Sequence, residues 1–352
     1  MPKIDALFTK LISKKGSDLH LEQGQKPKMR IHGALKEIEG EELLTESRLT
    51  GLLTEITDHW KHFEKTGDLD FAYSLGEDAR FRANYYRHFH GFGAVFRLIP
   101  SEIVSLENLN MPEVLRTFGD LLSGLVLITG PTGSGKSTTL AAVINYINRT
   151  RSKKIITIEE PVEFVHKNIK SVITHREVGL DTESFSSGLK SASKSNPDII
   201  LVGEMRDCET IMLALTAAQM GILVFGTLHT NSAPKTIDRI VDIFPMGQKN
   251  QVRTILANTL QGIVSQQLLK STDGSRRWVA YEILLRTEAL GATIMEGEAA
   301  KLASEIQMGR AKGMILMDDC LVELVKSGRV KKEDAFMKAI DKSQFLTHLG
   351  TN

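Results

Sequence analysis

The pattern of hydrophobic and polar positions changes near Leu121. From there, short apolar runs alternate with amphipathic stretches of helical period. The apolar runs predict strands at Leu125 to Thr129, Lys154 to Ile158, Asp198 to Val202 and Ile222 to Thr227. Strands separated by helices form parallel sheets that are covered on both faces. We therefore expect an α/β core with its ligand site at the carboxyl ends of these strands.

The residues before this core predict a separate, small α+β domain. Their short alternating or apolar runs lie at Asp18 to Leu21, Lys28 to Ile31 and Leu69 to Ser74. A polar stretch with Pro112 as a turn or helix start then connects the two parts. The predicted division is an N-terminal domain at 1–101, a linker at 102–119 and a second domain at 120–352.

The last third of the chain predicts a helical C-terminal extension. Beyond Phe244 the pattern is helical from Gln248 to Gln267, followed by a short strand from Trp278 to Leu284 and further helices. The apolar stretch Ile211 to Leu228 approaches the length of a membrane span. We interpret it as a buried helix that ends at Gly221, followed by a buried strand.

Composition excludes several classes of protein. A chain of 352 residues is long enough for two cores. The 44 basic and 43 acidic residues give a net charge of +1, which argues against a dedicated nucleic-acid binder. Only Cys208 and Cys320 occur, so neither a disulfide framework nor a zinc site is expected. The first fifteen residues do not resemble an export signal, and we expect a cytoplasmic protein.

A glycine-rich loop, GPTGSGKS at Gly130 to Ser137, joins the first predicted strand of the core to a helix. In this arrangement backbone N–H groups surround an anion at a helix N-terminus. Lys136 is spaced to reach the β- and γ-phosphates, and the Ser137 hydroxyl to ligate Mg²⁺. We predict an ATP and Mg²⁺ site. Its binding residues are Gly130, Thr132, Gly133, Ser134, Gly135, Lys136, Ser137 and Thr138.

Three further polar residues follow predicted strands. Glu204 ends the run PDIILVGE and would hold Mg²⁺ or its water, the alternative being a cap for the next helix. Glu163 lies in the acidic run IEEPVE and would orient and deprotonate the attacking water. His229 follows the fourth strand and would sense the γ-phosphate, although a lone histidine is more often structural.

Arginines are interleaved with aromatic residues from Ala79 to Pro100. Arg80 and Arg82 share one face of a predicted strand, and Arg97 follows further along. The stretch could be a platform for nucleic-acid bases or a sheet with its rings inward and its arginines in solvent. It could also supply arginines that neutralise charge on a transferring phosphoryl group. The phosphate loop favours this last interpretation.

Together these segments resemble the retraction ATPases of type IV pili, the PilT group of the type II and type IV secretion ATPases. The resemblance covers nearly the whole chain. It is carried by GSDLHL at Gly16 to Leu21, the phosphate loop, IEEPVEF at Ile158 to Phe164, HREVG at His175 to Gly179, VGEMRD at Val202 to Asp207 and TLHTNSA at Thr227 to Ala233.

The resemblance implies a hexameric ring of RecA-like P-loop ATPase domains, each preceded by a PAS-like domain. It implies that Glu204 is the Walker B acid, Glu163 the catalytic glutamate and His229 part of a histidine box. Arg80, Arg82 and Arg97 fall on the positions of the family's N-domain arginines that approach the phosphates. Arg206 and Arg239 are candidates for a subunit boundary.

The implied function is pilus retraction, in which ATP hydrolysis drives pilin disassembly and twitching motility. The implied partners are a homo-hexamer, an inner-membrane platform protein and, indirectly, pilin, with no direct nucleic-acid contact and a peripheral location at the inner membrane. The chain departs from the family pattern at Glu160 of the acidic box, at 192–196 and at Ala289-Leu290-Gly291, which replaces the A-I-R box tied to retraction. The alternatives are an accessory, regulatory paralogue of a pilus motor and a RecA-like DNA motor.

Overall fold

The structure is a computed structural model that describes residues 2–31, 33–76, 79–99 and 103–350. Its contacts divide the chain into two compact units. The first unit comprises Met1–Glu102 together with Pro161–Val165, and the second comprises Ile103–Glu160 and His166–Asn352. The predicted boundary at Ser101 lies outside the described residues.

The described residues of the first unit form an antiparallel sheet with three short helices. Its elements are α1 (Asp5–Ser13), β1 (Asp18–Glu22), β2 (Lys28–Ile31), β3 (Ala34–Glu37), α2 (Glu46–Thr54), α3 (Trp60–Thr66), β4 (Asp68–Leu75), β5 (Ala79–His88) and β6 (Gly91–Ile99). The strand order is β3-β2-β1-β6-β5-β4. Alternate residues of β5 are buried, and Phe81 and Tyr85 pack around Phe96 and Phe8. One face of the sheet therefore packs against the core, and the other face carries mainly polar side chains.

The second unit contains the predicted α/β core and the C-terminal helices. Its elements are β7 (Gly124–Thr129), α4 (Lys136–Thr150), β8 (Lys154–Glu159), β9 (Val172–Glu177), α5 (Phe185–Ser193), β10 (Ile199–Val202), α6 (Cys208–Gln219), β11 (Leu223–Leu228), α7 (Ala233–Asp242), α8 (Met246–Thr259), β12 (Leu260–Lys270), β13 (Arg277–Leu285), α9 (Leu290–Glu296), α10 (Leu302–Met308), α11 (Met317–Lys326), α12 (Lys332–Lys338) and α13 (Lys342–His348). Short 3₁₀ helices lie at Glu113–Asp120, Ala299–Lys301 and Arg310–Lys312.

The sheet of the second unit has the order β13-β12-β7-β11-β10-β8-β9. Among these described strands, only β13 runs antiparallel to its neighbour. Alternate residues of β7 enter different cores, with Leu125 and Leu127 on one face and Val126 and Ile128 on the other. This confirms the predicted parallel sheet with both faces covered, and all four predicted strands are present within one residue of their ends.

The predicted helix from Gln248 to Gln267 is wrong in its second half. Helix α8 ends at Thr259, and β12 begins at Leu260 between β7 and β13. The apolar residues of this stretch satisfy both a helical and a buried-strand pattern. Pairing with the distant β7 on one side and with the following β13 on the other makes this part of the stretch a strand.

The predicted linker at 102–119 packs as part of the second unit from Ile103 onward. Leu115 and Phe118 of its 3₁₀ helix are buried in the core beneath the sheet. Phe118 lies so close to Gly262 of β12 that a Cβ there would be 2.8 Å from the ring. Its buried side chains thus belong to the core of the second unit.

The apolar stretch from Ile211 to Leu228 is divided between α6 and β11, as predicted. Gly221 separates the two elements with a φ of +94°. Within the described part of the chain, no helix combines the length and apolar character that crossing a bilayer requires.

One buried carboxylate joins two helix starts in the second unit. Glu282 of β13 is 2% exposed. Its Oε1 accepts a hydrogen bond from the N–H of Ala233, the first residue of α7, at 2.7 Å. Its Oε2 accepts one from Met317, the first residue of α11, at 3.3 Å. Burial raises the pKa of Glu282, while these two hydrogen bonds oppose the rise.

Candidate nucleotide-binding site

The loop between β7 and α4 has the backbone of a phosphate cradle. Gly130, Gly133 and Gly135 have φ values of +149°, +77° and +87°, which side chains other than glycine rarely adopt. At Gly130 a Cβ would also lie 2.3 Å from the backbone oxygen of Gln266 and 2.5 Å from Ser134 Oγ. The glycine at the start of the loop is therefore required twice, for its φ and for space.

The loop ends at a helix N-terminus. Helix α4 has fifteen residues and begins at Lys136, with Gly135 at the N-cap position. The Lys136 ammonium donates to the carbonyl oxygens of Gly130 at 2.9 Å and Pro131 at 3.2 Å, so it folds back over the loop. Thr132 is exposed, and Ser137 and Thr138 are half-buried in the first turn. A lysine over a glycine cradle at the positive end of a long helix fits a triphosphate.

The carboxyl ends of β7, β11 and β10 lie side by side at this edge of the sheet. Gly130 N donates to the oxygen of Leu228 at 3.2 Å, and Met205 N to that of Thr227 at 3.1 Å. These bonds place the segment after β11, which carries His229, between the phosphate loop and Glu204. The phosphate loop, Glu204 and His229 therefore lie at the carboxyl edge of the sheet, as predicted.

Glu204 contacts the side chains of Arg206 and His229. Arg206 binds it through Nε to Oε1 and Nη2 to Oε2, both at 2.6 Å, and His229 Nε2 lies 2.9 Å from Oε1. Burial raises the pKa of Glu204, but the Arg206 bonds and the nearby charges outweigh it, so the net pKa lies below the usual 4.5. Arg206, a candidate for a subunit boundary, pairs with Glu204 within the chain, and its role at a boundary stays a prediction.

Glu204 does not cap the following helix. The N-cap of α6 is Asp207, whose Oδ1 accepts from Thr210 N at 2.8 Å. The capping alternative is therefore excluded. Glu204 is left as an ionised acid at the end of a buried strand, which is the character that a Mg²⁺ ligand or water-ordering group requires.

The acidic box leaves the second unit after Glu160. Pro161–Val165 belongs to the first unit by its contacts, and Glu163 is half-buried in a segment without regular secondary structure. Its role stays a prediction. The box is anchored where it re-enters the second unit, because His166 N donates to His175 Nε2 at 3.1 Å.

His175 of the HREVG box has both ring nitrogens engaged. While Nε2 accepts from His166, Nδ1 lies 2.9 Å from Thr157 Oγ1 of β8 and 3.8 Å from Glu159 Oε1. The rings of His166 and His175 stack at 5.7 Å. The sequence pattern assigned His175 no role, because its partners lie on β8 and in the segment before β9, and no local spacing connects them to it.

The predicted N-domain arginines lie on the polar face of the first unit's sheet. Arg82 of β5 is directly opposite Arg97 of β6, and Arg80 is opposite Ile99. Arg97 Nε donates to Asp18 Oδ1 at 2.8 Å while 72% of its side chain stays exposed. Burial raises the pKa of Asp18, but the bonds from Arg97 and Ser17 outweigh this and lower it overall.

The arginine-aromatic interleaving is explained by this sheet. Phe81, Tyr85 and Phe96 are fully buried, whereas Arg82 and Arg97 are exposed on the opposite face. The buried rings are unavailable for stacking on bases, so the base-stacking platform loses its main support. Arg82 is exposed on this face, and Arg97 is exposed there while it donates to Asp18.

Comparison with known proteins identifies relatives of similar length. A family model described as Type II/IV secretion system protein matches residues 1–341. The type IV pilus retraction ATPase PilT of Pseudomonas aeruginosa is 48% identical over 325 residues, covering 92% of this chain and 94% of that protein. A twitching motility protein of Neisseria gonorrhoeae is 47% identical over 314 residues, covering 89% and 84%.

A solved structure gives the same result for the fold. The crystal structure of the pilus retraction motor PilT with bound ADP matches with a TM-score of 0.91 at 42% identity, covering 97% of this chain and 98% of that one. The resemblance inferred from the sequence boxes is confirmed. Since the family model spans nearly the entire sequence, this chain belongs to the type II/IV secretion system protein family.

Proposed function

We propose that the chain is a motor ATPase that couples ATP hydrolysis to retraction of type IV pili. The observation that carries the ATPase assignment is the position of the Glu204–His229 pair at the same strand edge as the phosphate loop. The similarity to PilT over nearly the full length of both chains supports retraction as the work that hydrolysis drives.

The phosphate loop binds the triphosphate. The N–H groups from Gly133 to Lys136 surround its phosphates, with the charge of the α4 N-terminus behind them. Lys136 exchanges the carbonyls of Gly130 and Pro131 for phosphate oxygens. Ser137 and Glu204 are the residues that would hold Mg²⁺, which supplies charge neutralisation on the phosphates when bound.

Glu204 and His229 form the switch that reports the nucleotide. Glu204 forms an ion pair with Arg206 in the described conformation. This ion pair must weaken before Glu204 can bind Mg²⁺ or its water. His229 shares the same carboxylate oxygen and lies three residues before the Ser232 cap of α7. A change at Glu204 is thereby passed to α7. Glu163 orients the attacking water and accepts its proton.

The assembly we propose is a homo-hexamer in the cytoplasm, bound at the inner membrane to the platform protein of the pilus machine, with pilin as the indirect load. Arg80, Arg82 and Arg97 approach the phosphates and neutralise charge on the transferring phosphoryl group. The N-terminal domain is PAS-like and the second domain RecA-like, with the C-terminal helices as its extension. Movement of the domains upon binding and release is the mechanical output.

The test combines hydrolysis with pilus imaging. Lys136→Ala abolishes turnover in the purified protein, whereas the exposed Lys194→Ala retains it. Cells lacking the gene keep long pili that do not retract, and only the Lys194→Ala chain restores retraction. Absence of pili would instead identify an assembly motor, and full turnover by Lys136→Ala would reject the site.

An accessory role is the second candidate. The observation that favours it is Ala289-Leu290-Gly291, where the resemblance leads one to expect an A-I-R box. In the structure this sequence starts α9, with Leu290 buried. Purified wild-type protein with no steady-state hydrolysis, together with normal retraction in the deletion strain, would establish the accessory role.

A further inference from the structure

Gln266 lies directly behind the phosphate loop. Strand β12 pairs with β7 up to Ser265 and Thr129, whose hydroxyl groups are 2.7 Å apart. Gln266 is the next residue along β12, where β7 gives way to Gly130. Its side chain is fully buried. A polar residue at such a position needs a specific partner, because burying an unpaired amide is costly.

The partner of its amide nitrogen is the backbone of the loop itself, while its buried Oε1 has no hydrogen-bond partner. Gln266 Nε2 donates to the carbonyl oxygen of Ser134 at 2.8 Å. The same nitrogen would be 3.2 Å from a Cβ at Gly135, and the Gln266 backbone oxygen approaches Gly130. One residue thus contacts the loop at its beginning, its middle and its end.

The hydrogen bond from Gln266 to the Ser134 carbonyl determines the direction of the Gly135 N–H. A trans peptide is planar, and its C=O and N–H point to opposite sides. When Gln266 holds the Ser134 carbonyl towards β12, the N–H of Gly135 must point away from β12. We propose that Gln266 is a positioning residue that aims the Gly135 N–H at the nucleotide phosphates. This inference rests on the proposed nucleotide-binding function.

The chain supplies a matched control in the next residue. Gln267 has the same side chain on the same strand, is 6% exposed and faces the other side of the sheet. Its Nε2 donates to the carbonyl oxygen of Lys338 in α12 at 3.2 Å. Substitutions at 266 and 267 therefore remove the same kind of bond at similar burial, and only one of them touches the loop.

The experiment compares Gln266→Met with Gln267→Met in the full-length chain. The probes are ADP affinity by calorimetry, kcat and KM for ATP, and the urea midpoint without nucleotide. We expect Gln266→Met to weaken ADP and raise KM by about 10-fold to 100-fold, the effect of misdirecting one hydrogen bond to a charged group. Gln267→Met keeps wild-type affinity, and the two variants have similar urea midpoints.

A second pair of variants covers a folding failure of Gln266→Met. Gln266→Glu preserves the shape of the side chain but places acceptors against the Ser134 carbonyl, so it weakens ADP more than Gln267→Glu. Equal ADP affinities at the two positions, in either pair, would overturn the inference. Wild-type protein that neither binds ADP nor hydrolyses ATP would refute the proposed function instead, so the two failures are distinguishable.

Discussion

Glycine to alanine substitutions within the phosphate loop should have very unequal effects on stability. At Gly130 the new Cβ would lie 2.3 Å from a backbone oxygen on β12, which cannot move without disturbing the strand. At Gly135 the nearest atom is Nε2 of the Gln266 side chain, at 3.2 Å. At Gly133 nothing lies within 4 Å. The three positions share a positive φ but differ in the space available.

The loss of stability in each variant is the sum of two costs, the strain of a positive φ and the crowding around the new Cβ. A positive φ costs an alanine about 1–2 kcal/mol, and overpacking a tight site adds about 1–3 kcal/mol. Gly133→Ala carries only the first term and should lower the free energy of unfolding by about 1–2 kcal/mol. Gly130→Ala carries both and should lower it by about 2–5 kcal/mol. Gly135→Ala should fall between them.

The assay is urea unfolding without nucleotide at one fixed chain concentration. Trp278 of β13 reports on the second unit, and Trp60→Phe in the background removes the signal of the first. Nucleotide affinity, measured separately, should fall in all three variants because each alters the cradle. If Gly133→Ala proved as destabilising as Gly130→Ala, the contact with β12 would not set the cost and the reasoning would be wrong.

Three further predictions address the site and the C-terminal extension. Glu163→Gln should leave ATP bound and uncut, which chromatography of the retained nucleotide after long incubation would check; complete conversion to ADP would contradict it. Because the folded pKa of Glu204 is lowered, its stabilising contribution is full above the usual 4.5 and is lost as the pH falls through the folded value. Wild type should therefore exceed Glu204→Gln in urea stability at pH 7 and converge with it in acid, and a constant difference would argue against the ion pair. Gly291→Ala should raise stability by about 0.5–1 kcal/mol, because it lies in a helix and its Cβ would meet only ordinary contacts; thermal melting would test this, and a loss of stability would show the site to be tighter than described.

The sequence was most informative where the functional elements follow one another directly along the chain. A strand, a glycine loop and a helix are consecutive, so the phosphate loop and α4 could be placed from the pattern alone. The same holds for Glu204 and His229, which follow buried strands. Because parallel strands bring their carboxyl ends together, their proximity was predictable even though the 2.9 Å contact was not.

Long-range pairing set the limit. Gln266 and Ser134 are 132 residues apart, and no spacing rule connects them. The strand β12 was itself mistaken for helix, which would have placed Gln266 on a different surface. A contact such as that of Gln266 requires the register of the sheet, which composition and periodicity do not contain. The pairing of Arg206 with Glu204 spans only two residues, but it depends on the turn after β10.

The carboxylate shared by the first residues of α7 and α11 has a consequence for protein engineering. A chimera that grafts the C-terminal extension of a relative onto this chain would exchange α11 while keeping Glu282 and α7, or the reverse. In either chimera the N–H groups that begin α7 and α11 would come from different proteins. The carboxylate that accepts from both of them would then be matched to only one. Functional grafts should therefore be cut before Ala233, so that α7, Glu282 and α11 are inherited as one block.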